Sequence, residues 1–483
     1  MATNIKSYPN LIDGTWKTSS DTPLEDRNPA DYDEIVGLFP MATLDDTKNA
    51  IQAARSAFSG WSRTPAPARG AILDKASQML TSRLDDIATV LTREEGKTLA
   101  EAKGEVTRAR DIFKYYAGEG WRCSGQVLPG SVDDELLYTR REPLGVVSII
   151  TPWNFPIAIP AWKIAPALIY GNTVVFKPAE DAPHTALLLV EALVEAGLPP
   201  GVINFLTGDG ASIGTEMTSN PNVNGISFTG SHNTGTKVYQ NAIKNMARVQ
   251  LEMGGKNALV VLKDADLELA VKLAITGGFG LTGQACTATS RIIVEEEIAD
   301  TFVLALTAAT KNLKVGNGLE NGVQMGPLVN QDQLQTSQNY MALGQQEGAI
   351  LLLGGEVDGG KGYFAHATIF DHVEPTMRIA QEEIFGPVVG IIRAKGLNDA
   401  IEKANAIPFG LSAGVVTNNL KEAFAFANRV DAGVVKINEP TTGLALNAPF
   451  GGFKGSSANT FKEQGQAAMD FYTRTKTIYV NHG

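Results

Sequence analysis

The chain has 483 residues, of which 43% are hydrophobic and 19% charged, so it can bury a large core and is not a disordered protein. Acidic residues outnumber basic ones 52 to 41, and the net charge of -11 argues against a nucleic acid or an anionic membrane as the main partner. Two cysteines, Cys123 and Cys286, are too few for a disulfide framework, which favours free thiols in a cytoplasmic protein. The sequence shows neither the apolar core of a signal peptide nor an apolar run long enough for a membrane span.

The segment before residue 143 predicts two helices and then a β-hairpin. The capping-box pattern at Thr43–Asp46 begins the first helix. The second is predicted from about residue 68 to residue 95, where Gly96 ends it. Residues 125–142 place strand-forming residues on both sides of an acidic turn, and the charges around them favour an exposed hairpin arm.

From residue 145 onward, short apolar strands alternate with helices. Strands that are almost wholly apolar are typical of a parallel sheet covered on both faces, so we expect an α/β fold. Ligands bind such sheets at the carboxyl ends of the strands, which predicts a dinucleotide site within residues 145–250. A second strand–helix series extends from Leu251 to about Phe450. Residues 469–480 predict a final edge strand, which we expect to pair with another chain alongside the hairpin.

Three residues are candidates for chemistry. Cys286 lies in the glycine-rich segment GFGLTGQACTATSR, which favours a thiolate nucleophile on a loop; the alternative is a buried, inert cysteine. Glu252 follows an apolar run, where burial would raise its pKa and make it a base; the alternative is a solvated strand end. Asn154 in TPWNFP has an amide suited to an oxyanion, or it is a turn residue. Cys123 has no such partners and is interpreted as structural.

Candidate nucleotide-binding residues lie in loops that follow predicted strands or helices. Backbone N–H groups of such loops suit a phosphate, and nearby charged side chains suit a ribose. The segment GDGASIG nearly matches the dinucleotide fingerprint but has one residue too many. Ordinary surface pairs or loops are the alternative for all of them. These candidates are Lys177 and Glu180 in FKPAED, Gly210 in GDGASIG, Gly230, Ser231 and Gly235 in FTGSHNTG, and Glu383 and Phe385 in QEEIFGPV.

The order of these motifs is more specific than any one of them. TPWNFP, KPAE, FTGS, LEMGGKN, GQAC, EEIFGPV and PFGGFKGS follow one another across most of the chain, which resembles the NAD(P)-dependent aldehyde dehydrogenase superfamily. The resemblance implies a Rossmann-like cofactor domain in residues 1–122 and 143–253 and an α/β catalytic domain in residues 254–452. It also implies a β oligomerisation arm in residues 123–142 and 453–483, and a homodimer or homotetramer.

The resemblance also implies a role for each residue. Cys286 would attack an aldehyde, Asn154 would stabilise the oxyanion, and Glu252 would activate the water that releases the acid. Phe155 and Trp162 would form apolar walls of the substrate site, and no metal is implied. The cofactor-binding residues would be Thr151, Pro152 and Trp153 beside Asn154, Lys177 and Glu180 at the adenosine ribose, Gly210, Gly230 and Ser231 near the phosphates, and Glu383 and Phe385 at the nicotinamide ribose.

The choice of cofactor and of aldehyde stays open at this point. Glu180 favours NAD because it would repel a 2′-phosphate, whereas Lys177 could neutralise one, so NAD or NADP is expected. Relatives that oxidise succinic semialdehyde carry arginines at the positions of Trp162 and Gly280, which weakens that assignment. Three segments are most similar to bacterial dehydrogenases for 2,5-dioxovalerate, also called α-ketoglutaric semialdehyde. A broad site for aliphatic or aromatic aldehydes is the alternative.

Three other classes of function compete with this interpretation. A CoA-acylating aldehyde dehydrogenase would use the same cysteine but typically lacks the glutamate found at position 252. A binding or structural protein on this fold would not need Cys286, Glu252 and Asn154 together. A cysteine hydrolase would need a histidine base, and the candidates are His184, His232, His366, His372 and His482.

Overall fold

The computed structural model describes residues 5–18 and 22–483 of the chain. In chain order, its strands are β1 Asn10–Ile12, β2 Thr15–Lys17, β3 Leu24–Asn28, β4 Asp31–Phe39, β5 Val127–Leu128, β6 Glu135–Pro143, β7 Val146–Ile150, β8 Thr173–Lys177, β9 Ile203–Phe205, β10 Val223–Thr229, β11 Arg248–Glu252, β12 Asn257–Val261, β13 Thr289–Glu295, β14 Ile350–Leu353, β15 Thr368–Asp371, β16 Val388–Ala394, β17 Phe409–Gly410, β18 Ser412–Val416, β19 Val434–Ile437, β20 Phe453–Lys454 and β21 Thr473–Asn481.

The α-helices cover both faces of the sheets. In chain order they are α1 Leu44–Arg63, α2 Ala66–Ser82, α3 Leu84–Glu95, α4 Leu99–Glu119, α5 Ala158–Ile169, α6 Pro183–Glu195, α7 Gly210–Ser219, α8 His232–Ala242, α9 Leu267–Phe279, α10 Glu296–Thr310, α11 Gln331–Gln346, α12 Arg378–Gln381, α13 Leu397–Asn405, α14 Leu420–Arg429 and α15 Ala467–Tyr472. Among the residues with described positions, no helix is both long and apolar enough to cross a membrane.

Two seven-stranded sheets form the centre of the α/β fold, as the apolar strands predicted. The first has the order β11-β10-β7-β8-β9-β1-β2, in which the five strands from β11 to β9 are parallel. The chain builds β7, β8 and β9 outward and then returns to place β10 on the other side of β7. The loops that follow β7 and β10 therefore leave in opposite directions, which opens a crevice at their carboxyl ends.

The second sheet has the order β14-β15-β16-β13-β12-β18-β19, with β14 antiparallel and the other strands parallel. Its strand β12 begins only a few residues after β11 of the first sheet ends. The segments that enter β12, β13 and β16 consequently lie next to the carboxyl ends of the first sheet. This arrangement brings loops from both sheets to one cleft.

The predicted hairpin is confirmed, and the C-terminal strand joins it as a third strand. β5 and β6 pair antiparallel, and β21 pairs antiparallel with β6 from Thr473 opposite Pro143 to Asn481 opposite Glu135. The C-terminal strand thus lies alongside the hairpin, but it pairs with the hairpin of its own chain. Its pairing with another chain stays a prediction. Residues 469–472, expected in the strand, belong instead to α15, where Phe471 and Tyr472 are buried.

The N-terminal helices have the predicted beginning and end, but one predicted helix is divided in two and a further helix, α4, was not predicted. Thr43 and Asp46 form the expected capping box of α1, and Gly96 ends α3 in a left-handed conformation at φ 98°. The single helix expected over residues 68–95 is wrong, because Arg83 leaves helical geometry at φ −112° and ψ 14° and separates α2 from α3. Arg83 uses this break to bond Glu195 at the end of α6, with Nη1 3.0 Å from Oε1.

Asn172 connects strand β7 of the first sheet with the helices α5 and α15. Its side chain is buried, and its Oδ1 accepts a hydrogen bond from the Gly145 N–H at 3.1 Å. Its Nδ2 donates to the carbonyls of Ala167 at 3.2 Å and Tyr472 at 2.9 Å. One amide therefore satisfies backbone groups before β7, at the end of α5 and at the end of α15.

We expect Asn172→Ala to lower the free energy of unfolding by about 2–4 kcal/mol, because it leaves several buried backbone groups without partners. The measurement is the urea midpoint followed by circular dichroism. Asn49→Ala on the exposed face of α1 is the matched control and should change stability little. Equal midpoints for the two variants would contradict the role of Asn172.

Candidate active site

A crevice of about 680 Å³ lies at the carboxyl ends of β7 and β10. This volume is within the range of ~300–1,000 Å³ that small-molecule and cofactor sites occupy. Its position is the point where the strand order of the first sheet reverses, as expected for a dinucleotide site. Predicted residues that line it are Thr151, Pro152, Trp153, Lys177, Glu180, Gly210, Gly230 and Ser231.

The FTGS loop brings backbone into this crevice at the N-terminus of α8. Ser231 is the N-cap of α8 and its side chain accepts from the Thr234 N–H at 3.3 Å. A Cβ at Gly230 would lie 2.6 Å from the Phe228 ring, and one at Gly235 would lie 2.5 Å from Met253 Sδ. Glycine therefore allows the loop to pack this closely at both positions, which places the N-terminus of α8, a site suited to an anion, at the crevice.

Lys177 and Glu180 form a defined contact with a third predicted residue. Lys177 Nζ donates to Glu180 Oε1 at 2.7 Å, and the Gly210 N–H donates to the same oxygen at 3.0 Å. Lys177 is buried, whereas the Glu180 side chain remains 40% exposed toward the crevice. The alternative of an ordinary surface pair does not fit a buried lysine.

A second cavity contains Cys286 and opens into the crevice. The two share Pro152, Trp153, Thr229, Gly230 and Ser231 in their walls. The other residues around the second cavity are Asn154, Ile159, Met253, Gly254, Cys286, Gln333, Thr336, Glu383, Ile384 and Phe385. The structure thus brings Cys286, Asn154, Glu383 and Phe385 together from three separate segments.

The loop that carries Cys286 has an unusual backbone. Leu281 and Thr282 adopt left-handed conformations at φ 54° and 57°, which cost energy for residues with a side chain. Contacts from other segments hold this turn: Leu281 N–H donates to Glu101 Oε1 at 2.8 Å, and Thr282 Oγ1 donates to a carbonyl at 3.0 Å. Asn257 Nδ2 also donates to the Cys286 carbonyl at 2.8 Å.

Asn154 is buried and is fixed from two sides. Its Nδ2 donates to the Gln284 carbonyl at 2.9 Å, two residues before Cys286, and its Oδ1 has no partner. Its backbone carbonyl accepts from Lys97 Nζ at 2.8 Å. Because an amide nitrogen has two N–H groups, Asn154 retains one for a ligand.

The Lys97 contact belongs to a buried ion pair. Lys97 Nζ lies 2.5 Å from Glu105 Oε2, and both side chains are almost fully buried. Glu105 Oε1 accepts from the N–H groups of Ile157 and Ala158, each at 3.1 Å. The first turns of α4 therefore hold the loop from Asn154 to the start of α5.

Acidic groups surround the Cys286 thiol. Burial, reinforced by the charges of Glu383, Glu252 and Glu463, raises the pKa of Cys286 to about 12. Burial likewise raises the pKa of Glu383 to about 7, although its Oε1 accepts from the Gly255 N–H at 3.0 Å. The thiol is therefore protonated at neutral pH in the ligand-free structure.

Glu252 is buried at the end of β11, so a solvated strand end is wrong as its environment. Its carboxylate oxygens have no hydrogen-bond partner, and burial together with the charge of Glu463 raises its pKa well above the usual value. Glu463 itself pairs with Lys163, whose Nζ also donates to Ser227 Oγ at 2.9 Å. A carboxylate with a raised pKa is a stronger base than an exposed one.

Some predicted residues lie outside both cavities. Glu252 lines neither cavity, although its neighbours Met253 and Gly254 line the second one, and Phe155 and Trp162 pack into the core beside α4. Cys123 is half-buried against the same core, away from the cavity walls. Lys97, Glu101 and Glu105 were missed by sequence reasoning. Charged residues on a helix ordinarily indicate a solvated face.

None of the five histidines lines the Cys286 cavity. His184 is buried and contacts Tyr8, with ring centroids 4.1 Å apart, and burial lowers its pKa to about 4. His232 Nδ1 is 2.9 Å from the Gly455 carbonyl. This geometry disfavours a cysteine hydrolase with a histidine base. No cluster of histidine, cysteine or acidic residues suited to a metal occurs within residues 5–18 and 22–483.

Comparisons with known proteins agree with this geometry. The chain is 46% identical to the 2,5-dioxopentanoate dehydrogenase of Saccharolobus solfataricus, over 98% of this chain and 99% of that protein. It is also 46% identical to the α-ketoglutaric semialdehyde dehydrogenase of Bacillus subtilis, over 99% of both. The betaine aldehyde dehydrogenase of Staphylococcus aureus, crystallised in complex with NAD+, superposes with a TM-score of 0.96 at 34% identity, over 99% of this chain and 95% of that one.

The aldehyde dehydrogenase family model matches residues 16–478, nearly the whole chain. The sequence motifs, the crevice at the strand reversal and the cysteine cavity that opens into it are consistent with that match. The chain belongs to the aldehyde dehydrogenase family.

Proposed function

We propose that the protein oxidises α-ketoglutaric semialdehyde (2,5-dioxopentanoate) to 2-oxoglutarate with NAD or NADP, through a covalent intermediate on Cys286. The observation that carries the proposal is the opening of the Cys286 cavity into the crevice at the strand reversal, with five wall residues in common. The choice of substrate is supported by the names of relatives at 46% identity over almost the full chain. Succinic semialdehyde and simple aldehydes are the alternatives.

The residues of the crevice fit a dinucleotide. The Gly230 and Gly235 positions have no room for a Cβ, and the N-terminus of α8 offers open N–H groups to a pyrophosphate. Lys177 and Glu180 would hold the adenosine ribose, and Glu383 with Phe385 the nicotinamide ribose. The Lys177–Glu180 pair offers both a carboxylate for ribose hydroxyls and a cation for a 2′-phosphate, so both cofactors are retained. When bound, the oxidised nicotinamide supplies a hydride acceptor.

The chain supplies the remaining chemistry. Cys286 Sγ, once deprotonated, attacks the aldehyde carbon and forms a thiohemiacetal. The free N–H of Asn154 and the Cys286 backbone N–H donate to its oxyanion. Loss of hydride from the same carbon leaves a thioester. Glu252 then takes a proton from the water that hydrolyses the thioester, which returns the cysteine and releases the acid.

The domain boundaries and the assembly complete the proposal. We assign the cofactor domain to residues 1–122 and 143–253, the catalytic domain to 254–452 and the arm to 123–142 and 453–483. β21 lies at the edge of the three-stranded arm sheet, which supports an arm that pairs between subunits in a homodimer or homotetramer. Two free thiols support a cytoplasmic location.

Cys286→Ala should reduce NAD(P)-dependent oxidation of α-ketoglutaric semialdehyde more than about 1,000-fold, since it removes the nucleophile. Absorbance at 340 nm measures the reaction. Cys123→Ala is the matched control and should retain the wild-type rate. Substantial turnover by the Cys286 variant would overturn the covalent mechanism.

Glu252→Gln should form reduced cofactor in a burst and then turn over roughly 100-fold more slowly than wild type, because an amide cannot accept a proton from water. Stopped-flow absorbance separates the two phases. A normal steady state without a burst would exclude Glu252 from thioester hydrolysis.

Lys97→Met should lower kcat roughly 10- to 100-fold, because Asn154 and its loop lose their buried support and shift relative to Cys286. The KM for NAD should change little, since Lys97 does not line the crevice. Steady-state kinetics with each substrate varied make the measurement.

Lys103→Met provides the matched control for Lys97. Lys103 is an exposed residue of α4 paired with Asp85 at 2.8 Å, so its loss should leave kcat unchanged. Equal kcat values for the two methionine variants would show that Lys97 does not position the loop.

A further inference from the structure

One face of the helix pair α4 and α5 contains an arginine without an acidic partner. Arg108 is largely buried, and two contacts account for its polar bonds: Nη1 donates to the Leu444 carbonyl at 2.5 Å and Nη2 to Gln464 Oε1 at 3.0 Å. A guanidinium has five N–H donors, so most of them remain available. No ion pair to Arg108 occurs among the described residues.

The neighbouring buried cations differ from Arg108 in this respect. Lys97 on one side is paired with Glu105, one turn before Arg108 on α4. Lys163 on α5 is paired with Glu463. Glu105 and Glu463 are therefore each paired with a lysine, and Asp111, one turn after Arg108 on α4, is paired with Arg110. Burial lowers the pKa of Arg108, and no acidic charge offsets this effect, although an arginine stays positive at neutral pH.

Two further donors without partners lie next to Arg108. Its guanidinium carbon is 5.9 Å from the centre of the Trp162 ring, and Trp162 Nε1 is buried without a hydrogen-bond partner. Gln464 must turn its oxygen toward Arg108, because a guanidinium cannot accept a hydrogen bond, and this leaves Gln464 Nε2 unpaired.

The backbone of Gln464 is also strained. It adopts a left-handed conformation at φ 63°, which a residue with a side chain seldom adopts unless its surroundings require it. The adjacent Gly465 carbonyl accepts from Tyr116 Oη of α4 at 3.2 Å, which holds this turn against the helix. Arg108, Trp162 and Gln464 thus form a group of buried donors with no anion of their own.

This donor group is connected to the Cys286 cavity by α5. Ile159 lines the cavity, and Trp162 is one turn further along the same face of α5. The loop that contains Leu444 is held beside the nucleophile, since Thr441 Oγ1 donates to the Thr287 carbonyl at 2.7 Å. Arg108 is thus next to Trp162, which is one turn along α5 from the cavity residue Ile159.

We propose that Arg108, with the Trp162 Nε1–H and Gln464 Nε2–H, binds the carboxylate at the far end of the aldehyde substrate. The inference rests on the proposed function and identifies the cation that a semialdehyde with a carboxylate requires. The guanidinium gains a charge partner on binding, and Ile159 in the cavity wall contacts the carbon chain between the two ends.

The test compares α-ketoglutaric semialdehyde with pentanal, an uncharged aldehyde of the same carbon number. Arg108→Met should lower kcat/KM for the semialdehyde roughly 10- to 100-fold, mainly through KM, and leave pentanal oxidation unchanged. Arg110→Met is the matched control, because Arg110 on the same helix is paired with Asp111 at 2.8 Å, and it should alter neither substrate. An unchanged ratio of the two kcat/KM values in Arg108→Met would overturn the assignment.

Two further measurements keep the outcomes distinct. Glutarate should inhibit pentanal oxidation by wild type competitively and lose this effect in Arg108→Met; equal inhibition of both would also overturn the assignment. If Arg108→Met does not fold, Arg108→Lys keeps the charge without the planar fork and should give a partial loss, whereas a wild-type ratio would refute the proposal. A wild-type enzyme without preference for the semialdehyde over pentanal would instead refute the proposed substrate.

Discussion

The buried ion pair between Lys97 and Glu105 is the contact on which the geometry of the active site depends. Moving two charges out of water is costly, and the pair is tolerated because both oxygens of Glu105 and two of the three N–H donors of Lys97 have hydrogen-bond partners. Those partners are the Asn154 carbonyl and the first N–H groups of α5. Glu101, one turn earlier on α4, holds Leu281 in the loop of Cys286. Asn154 and Cys286, which lie beside strands of different sheets, are thereby positioned by one end of one helix.

The same burial that fixes the geometry controls the reactivity of the thiol. The pKa of the Cys286 thiol is raised by the charges of Glu252, Glu383 and Glu463, so the ligand-free thiol keeps its proton. Oxidation of a cysteine follows its thiolate character, so a protonated thiol in a cavity open to solvent is protected while no substrate is present. Burial and the charge of Glu463 also raise the pKa of Glu252, which makes Glu252 a stronger base. Protection and activation are therefore two consequences of one cluster of buried acids.

The sequence predicts the sheets better than it predicts the support of the site. Short apolar strands bounded by glycine and proline leave few alternatives to a parallel α/β fold. The loop motifs point to Cys286, Asn154 and the predicted dinucleotide residues, which the structure brings to two adjoining cavities. The break at Arg83 was not predicted, because no glycine or proline marks it in the sequence. Lys97, Glu105 and Arg108 were missed for a related reason. The pattern of α4 is that of a solvated helix, and only its packing against α5 shows that these charges are buried.

Helix α4 uses separate residues to support the Asn154 loop and to bind the substrate. Glu105 and Arg108 are one turn apart and face α5 together, yet their bonds go to different parts of the molecule. Glu105 bonds the backbone of the Asn154 loop, so a change there disturbs every substrate alike. Arg108 bonds a distant loop and a side-chain amide, so a change there alters only what the end of the cavity can bind. In a family with one mechanism and many aldehydes, we expect the residue at the position of Arg108 to vary and Glu105 to be retained. Only Glu105 fixes the distance between Asn154 and Cys286.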